Sequence, residues 1–529
     1  MTERTDPPPA PGEDGRRDAR AAARVGAGIF LSKAAGFIRE RVTAYYFGTS
    51  GFADAWRVAL RMPNVLQNLL GEGTLSASFI PVYAEFLEEG RDEEAGRFAG
   101  ATLGILVVVA GALVLAGILI APWLVAVLFL KWSPEKQALT VQLIRILFPM
   151  TGILVVSAWA LGVLNSHRRF FVSYVAPVFW NLAQITALVA GGVYFGLGER
   201  DLVVVLAWGA LVGGALQFGV QLPFMARHLR FFRLSLGKGV TGVPEAIRNF
   251  GPVVAGRGVV NLSGWVDLVL AGMLAEGAVA AMGYAQTFYM LPISLFGLSV
   301  AASELPELSR MRQHDKEVLA TRVAGALRRV SYFLIPSAVG YLFLGDVVVG
   351  ALYQTGAFGS AQTLVTWGVL AAYALGLTAS ARSRVLSSAY YAVRDTRTPA
   401  LVATLRVVVS AGVGLSLMFP LDTLGFQRIH MGAAGLALGA SVGAWLEYGL
   451  LRRALTARIG PHGPPTSDLL RMTLAAAVAA AAGVGLQVAF PVASPVAQAL
   501  ETLVPFGVVY VSVAAALGLG LPGARRSTA

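Results

Sequence analysis

Of 529 residues, 56% are hydrophobic and only 14% charged, where a soluble chain of this size carries about 25% charged residues. There is no cysteine, which excludes disulfides, zinc–thiolate sites and thiol catalysis together. The net charge of +12 resides mainly in short loops between apolar runs, a pattern that orients a chain in a membrane better than it suits nucleic acid.

Residues 1–24, "MTERTDPPPAPGEDGRRDARAAAR", are Pro-rich, charged and free of aromatics, and read as a disordered cytoplasmic tail. No short apolar core with a cleavage site precedes the first long span. Apolar runs of about 20 residues, enough to cross a bilayer, then recur to the end of the chain. In lipid such runs satisfy their backbone groups only as helices. The pattern predicts an all-α polytopic membrane protein with fourteen helices, near 25–47, 53–86, 96–130, 138–164, 171–196, 202–224, 249–274, 278–302, 325–352, 362–391, 398–418, 431–452, 468–490 and 499–521. In the second, "GEG" at Gly71–Gly73 marks a bend or break.

Basic loops such as "NSHRRFF", "MARHLRFFRLSLGKG", "RDTRTP" and "LRRALTAR" fall on one side, while the opposite loops offer little beyond Lys131, Lys136, Arg200 and Arg428. This asymmetry predicts a multi-pass protein with both termini in the cytoplasm. A faint repeat relates the second and eighth helices, with a mid-helix proline in each (Pro63, Pro292) and a terminal one (Pro81, Pro306). A spacing of six helices preserves orientation, so the repeat is parallel. It predicts an N-lobe at 25–224, a cytoplasmic amphipathic linker at 225–248, a C-lobe at 249–455, two added helices at 466–521 and a tail at 522–529. The two six-helix lobes are expected to surround a central cavity.

Charge inside the first two helices is the chemical signal. Lys33 and Glu40 are seven residues apart and share one face, with Arg39 at its border. In the second helix Asp54, Arg57 and Arg61 recur at three- and four-residue spacing, followed by Glu72; pairing within that stripe is expected. An ionised group at mid-bilayer costs about 2.5–3.5 kcal/mol on insertion scales, so such groups face water or each other. Structural ion pairs with snorkelling side chains are the alternative, most evenly balanced for Arg41 and Arg57. A surplus of cations suits an anionic ligand, and guanidinium groups grip phosphate well. Further embedded charges are Arg257 and Asp267 in the seventh helix, Arg382 and Arg384, Arg406 and Glu447. Asp267 is either a cation or proton site or the partner of a nearby arginine. Five histidines, with no nucleophile–base pattern and no phosphate loop, argue against an enzyme.

The stretch "SKAAGFIRERVTAYYFGTSGFADAWRVALRMPNVLQNLLGEGTLSASFIPVYAEF" resembles the opening of the MurJ/MviN lipid II flippases, as do "FGLSVAASELPELSR", "LYQTGAF" and "SSAYYAVRDTRTP" in order and spacing. The resemblance implies the MOP flippase superfamily fold, two lobes around a cationic cavity plus two C-terminal helices. It implies flipping of an undecaprenyl-pyrophosphate-linked peptidoglycan precursor from the cytoplasmic to the outer leaflet by alternating access, in the bacterial plasma membrane. The family's pyrophosphate-binding cations fall on Lys33 and Arg39, its acids on Glu40, Asp54 and Glu72. Two family arginines are replaced here by Gln67 and Thr287, with Arg57, Arg61 or Arg257 as candidate replacements. Asp267 matches the acid of a sodium site whose partners appear as Ser410 and Gly414, so Na+ and the membrane potential are both candidate driving forces. The expected substrate-binding set is Lys33, Arg39, Glu40, Asp54, Arg61, Glu72 and Arg257, with Asp267 as candidate cation site and no cofactor. Expected partners are the lipid-linked substrate, membrane lipids and wall-synthesis proteins, with no nucleic acid, and the chain is expected to be a monomer. Alternatives are a flippase for another polyprenyl-linked oligosaccharide, exchange of a small organic cation, and a transport-dead scaffold of the wall-synthesis machinery.

Overall fold

The computed structural model describes residues 13–229, 231–298, 300, 316–393, 395–423 and 430–520; the side chains of 13–25, 72, 252–253, 255–263 and 298 lie outside that description. Pro306 and Arg428 fall outside the described residues. Among the described residues the chain is helical, without a β-strand: α1 (Glu13–Phe47), α2 (Gly51–Leu70), α3 (Glu72–Ser78), α4 (Ile80–Glu88), α5 (Asp92–Leu128), α6 (Pro134–Ser166), α7 (Phe170–Val189), α8 (Glu199–Ala226), α9 (Val243–Gly272), α10 (Ala278–Pro292), α11 (Lys316–Tyr353), α12 (Ser360–Ala392), α13 (Arg397–Thr423), α14 (Gly432–Ile459), α15 (Thr466–Ala489) and α16 (Pro495–Ala516).

Ten of these, α5–α8 and α11–α16, are long and apolar enough to cross a membrane; this is an integral membrane protein. The remaining expected spans, the first, second, seventh and eighth, coincide with α1, α2–α4, α9 and α10. These fall short in length or apolarity, and the second and eighth among them are the two that the faint sequence repeat relates.

One sequence expectation is corrected and one is borne out. Helix α1 begins at Glu13, so the second half of the segment read as a disordered tail is helical. Its Ala- and Arg-rich sequence has high helix propensity and extends a span already formed, which avoids a new nucleus. The second span is broken at Gly71, as the "GEG" sequence indicates. A side chain there would strike the Gln67 carbonyl, and the chain restarts as α3 and then α4, with Pro81 in its first turn. Pro292 has a parallel effect, since α10 passes there into a widened turn at 293–298.

The chain forms two compact units. The first is Met1–Tyr46 with Ala55–Gly264, the second Phe47–Asp54 with Trp265–Ala529. The division falls inside α9, rather than in the loop before residue 249. In the first unit, Phe79, Tyr83, Phe98 and Trp159 centre the core, with Phe79 stacked on Tyr83 and on Phe98 at 5.1 and 5.4 Å. Gly96, Gly100 and Gly104 form one face of α5, and the backbone at Phe231, Arg233 and Ser235 lies directly on them. The α8–α9 connection, read from sequence as a linker, is thus a strap docked on α5.

In the second unit, α11, α12 and α14 share a core of Leu327, Val330, Leu377, Val385 and Leu451. Here the buried Tyr390 hydroxyl donates to the Leu451 carbonyl at 3.0 Å. Helices α15 and α16 dock on α11 through Ala475, Ala476, Ala479 and Ala514, where Tyr510 donates to the Tyr332 carbonyl at 2.5 Å. Their other faces present Leu470, Leu474, Val504 and Val508 outward, as suits lipid.

Candidate functional site

In the first unit, α1 and α2 carry a charge triad. The Glu40 carboxylate accepts from Arg39 Nη2 at 2.6 Å and from Arg57 Nη2 at 2.8 Å. The three side chains are only 15–18% exposed, so two guanidinium groups share one carboxylate away from bulk water. Arg39 also lies over the Trp180 ring on α7, 4.9 Å from its centroid, within cation–π range. The triad fixes α1 against α2 and turns a cation toward an aromatic wall.

Trp180 also lines a cavity of about 540 Å3 together with Lys33, apolar side chains such as Leu154 and Leu161, and neutral polar ones that include Asn64, Gln67, Ser157 and Gln217. That volume lies in the usual range of ligand sites, about 300–1,000 Å3. Lys33 is exposed and has no carboxylate within ion-pair distance among the described residues. Ser157 links the polar wall by donating to Gln221 at 3.0 Å and accepting from Gln217 at 3.3 Å. The cavity therefore joins an uncompensated ammonium to amides and hydroxyls able to hydrogen-bond an oxyanion.

The other predicted residues are placed variously. Asp54 is 1% exposed, and its two oxygens accept from the backbone N–H of Gly277 and Ala280, each at 2.8 Å. Its carboxylate caps the N-terminus of α10, which a negative charge stabilises. Arg61 is exposed and lays its guanidinium against the backbone at Gly264. The side chains of Glu72 and Arg257 lie outside the described residues. Asp267 is half-buried on α9. Of the remaining embedded charges, Arg382 donates to Ser331 at 3.0 Å and Arg406 pairs with Glu447 at 2.7 Å.

A family model described as "Lipid II flippase MurJ" matches residues 43–501. The chain belongs to the MurJ family. A probable lipid II flippase MurJ of Rhizobium tropici is 32% identical over 437 residues, covering 80% of this chain and 78% of the relative. One of Rhizobium meliloti is 30% identical over 480 residues, 86% and 84% of the two chains. A solved MurJ structure in an inward closed conformation superposes with a TM-score of 0.74 at 24% identity, over 93% of this chain and 98% of that one. An inward-facing MATE transporter of the MOP superfamily superposes at 0.65 and 15% identity, over 83% and 98%. The two structures establish a shared MOP-type fold.

Against the MurJ pattern, two local features stand out. Gln67, where the resemblance gives arginine, lines the same cavity as Lys33. At Gly414, where it gives an acid, an added Cβ would come within 3.2 Å of the Leu436 side-chain tip on α14, and glycine brings no side-chain oxygen. Asn64, Ser157, Trp180 and Gln217 were not singled out from sequence. The available signal was a lone carboxamide or hydroxyl inside an apolar helix, which more often marks a satisfied core group.

Proposed function

We propose that this chain is a transporter, not an enzyme, that moves a polyprenyl-pyrophosphate-linked peptidoglycan precursor, lipid II, from the cytoplasmic to the outer leaflet of the bacterial plasma membrane. Lipid II is what its relatives are named for, and lipid-linked cargo is consistent with the apolar outer faces of α15 and α16. The observation that carries the reading is Lys33, a cation lining a cavity of the first unit with no carboxylate in ion-pair distance among the described residues. Beside it, Arg39 is held over Trp180. These two cations receive the pyrophosphate, and Glu40 and Arg57 hold Arg39 in place. Both termini are assigned to the cytoplasm, on the side of the basic loops.

The membrane potential drives the cycle in this reading, since one elementary charge crossing 100 mV is worth about 2.3 kcal/mol. Glycine at 414, which offers no side-chain oxygen, argues against a sodium site built there around Asp267. The test is translocation of lipid II into sealed vesicles with Lys33→Ala, Arg39→Ala and Glu72→Ala measured separately, with and without a potential. Loss with Lys33→Ala and Arg39→Ala is expected. Wild-type rates in both would overturn the reading, and equal rates after the potential is collapsed would overturn the coupling.

A further inference from the structure

A second polar cavity, of about 390 Å3, lies wholly in the second unit, where α11 and α15 end and α12 and α16 begin. The opposite ends of α11 and α15 carry Lys316, Arg322, Arg328 and Arg471. The cavity thus sits at the membrane surface away from the basic loops. Asp346 is its central group. It lies seven residues before the end of α11, about 10 Å at helical rise.

Asp346 Oδ2 accepts from Gln487 Nε2 at 2.8 Å, while Oδ1 is buried and has no hydrogen-bond partner among the described residues. No lysine, arginine or histidine lines the cavity among the described residues. A buried carboxylate oxygen without a donor is costly, so Asp346 Oδ1 is a place where a donor or a cation would be stabilised. Trp367 lines it too, with its indole N–H donating to the Tyr341 carbonyl at 3.1 Å. Its ring lies against Gly345, where any side chain would collide with it. The lining amides are partly engaged: Gln354 Oε1 accepts from Thr363 at 3.3 Å and Gln498 Oε1 from the Val492 N–H at 2.8 Å.

A carboxylate beside an aromatic ring is the arrangement that holds organic ammonium groups. The volume, equal to that of roughly a dozen waters at about 30 Å3 each, far exceeds a bare metal ion. Leu364 and Val492 at the rim, and Val496 and Leu500 beyond it, are exposed apolar side chains suited to acyl chains.

We propose that this cavity binds a primary ammonium group, with Asp346 as its counter-ion and Trp367 as its aromatic wall. The ammonium comes from an aminophospholipid headgroup or from a soluble amine. The site is independent of the one assigned to lipid II.

The experiment follows the thermal unfolding midpoint of the full-length protein in detergent micelles. It is titrated with dihexanoyl phosphatidylethanolamine, with free ethanolamine, and with dihexanoyl phosphatidylglycerol as anionic control. Stabilisation by the ethanolamine lipid alone identifies the headgroup in its lipid as the ligand. Stabilisation by both amines identifies the ammonium itself. Asp346→Asn, which keeps an oxygen for Gln487, is expected to weaken apparent affinity at least tenfold and to unfold without ligand at no lower a temperature than wild type. N-acetylated dihexanoyl phosphatidylethanolamine, which lacks the positive charge, tests the wild-type protein without any substitution and should not bind. Equal stabilisation by phosphatidylglycerol or by the acetylated lipid, or an unchanged response of Asp346→Asn, would overturn the proposal.

Discussion

Arg57 on α2 lies 2.8 Å from the Glu40 carboxylate on α1, and Arg39 lies 2.6 Å from the same group. One acid thus holds two cations, and removing it leaves both facing each other in a poorly solvated place. Breaking a fully buried pair costs about 3–5 kcal/mol; with partial exposure here, Glu40→Gln should cost about 2 kcal/mol. The check is a thermal unfolding series in detergent. Glu40→Gln should unfold earlier than wild type, and adding Arg57→Gln should recover part of the loss. An additive double mutant would show that the three charges act independently.

Gln67 shares the Lys33 cavity, so Gln67→Arg should add a third cation where the pyrophosphate is assigned. A hydrogen bond to a charged group is worth about 1.5–3 kcal/mol, or at least a tenfold gain in affinity. Binding of lipid II to the purified protein should tighten by that factor, and Gln67→Arg should restore binding to Lys33→Ala. If Gln67→Arg weakens binding and fails to rescue, phosphate is not the group received there.

The first two helices announced their chemistry because Lys33, Arg39 and Glu40 are charged in an otherwise apolar run, and a bilayer makes such residues conspicuous. How Glu40 divides itself was not legible, since Arg57 lies seventeen positions away and its approach depends on how α1 and α2 pack. Gln217 and Ser157 were invisible for the opposite reason: a single uncharged polar group in a buried helix breaks no periodicity. The strap over Gly96, Gly100 and Gly104 was hidden because spaced glycines in a membrane helix usually mark helix–helix contact, whereas here they admit a non-helical segment. Asp54 read as one of a charged stripe, but its cap depends on the turn before α10, more than two hundred residues away.

Asp54 supplies the test of that cap. Asp54→Ala leaves the Gly277 and Ala280 N–H groups without their acceptor in a buried place. Losing an N-cap costs about 0.5–2 kcal/mol, and burial with two lost bonds places this case at the upper end, about 2 kcal/mol. Asp54→Asn, which keeps one acceptor oxygen, should lose less. The unfolding midpoints of the two variants decide it; equal losses would show that the charge matters and the hydrogen bonds do not.

The last expectation concerns pH. His167, which follows α6, and His228, which follows α8, stack at 4.1 Å and 18°, and Tyr83 Oη lies 3.2 Å from His167 Nε2. Burial lowers the pKa of His167, reinforced by His228 and Arg169 and opposed by Asp92. Burial likewise lowers that of His228, with Arg169 and Arg227 adding to it. Both rings are neutral in the folded state at neutral pH, and below about 6.5 the unfolded chain takes up protons that the folded pair resists. The stability the pair contributes is complete above that value and falls as the medium is acidified toward the lowered folded values. The unfolding midpoint of the wild type should therefore drop between pH 7.5 and 5, and His228→Phe, which keeps a ring in the stack without its proton, should flatten that slope. A variant whose slope matches the wild type would assign the acid sensitivity to groups other than these two rings.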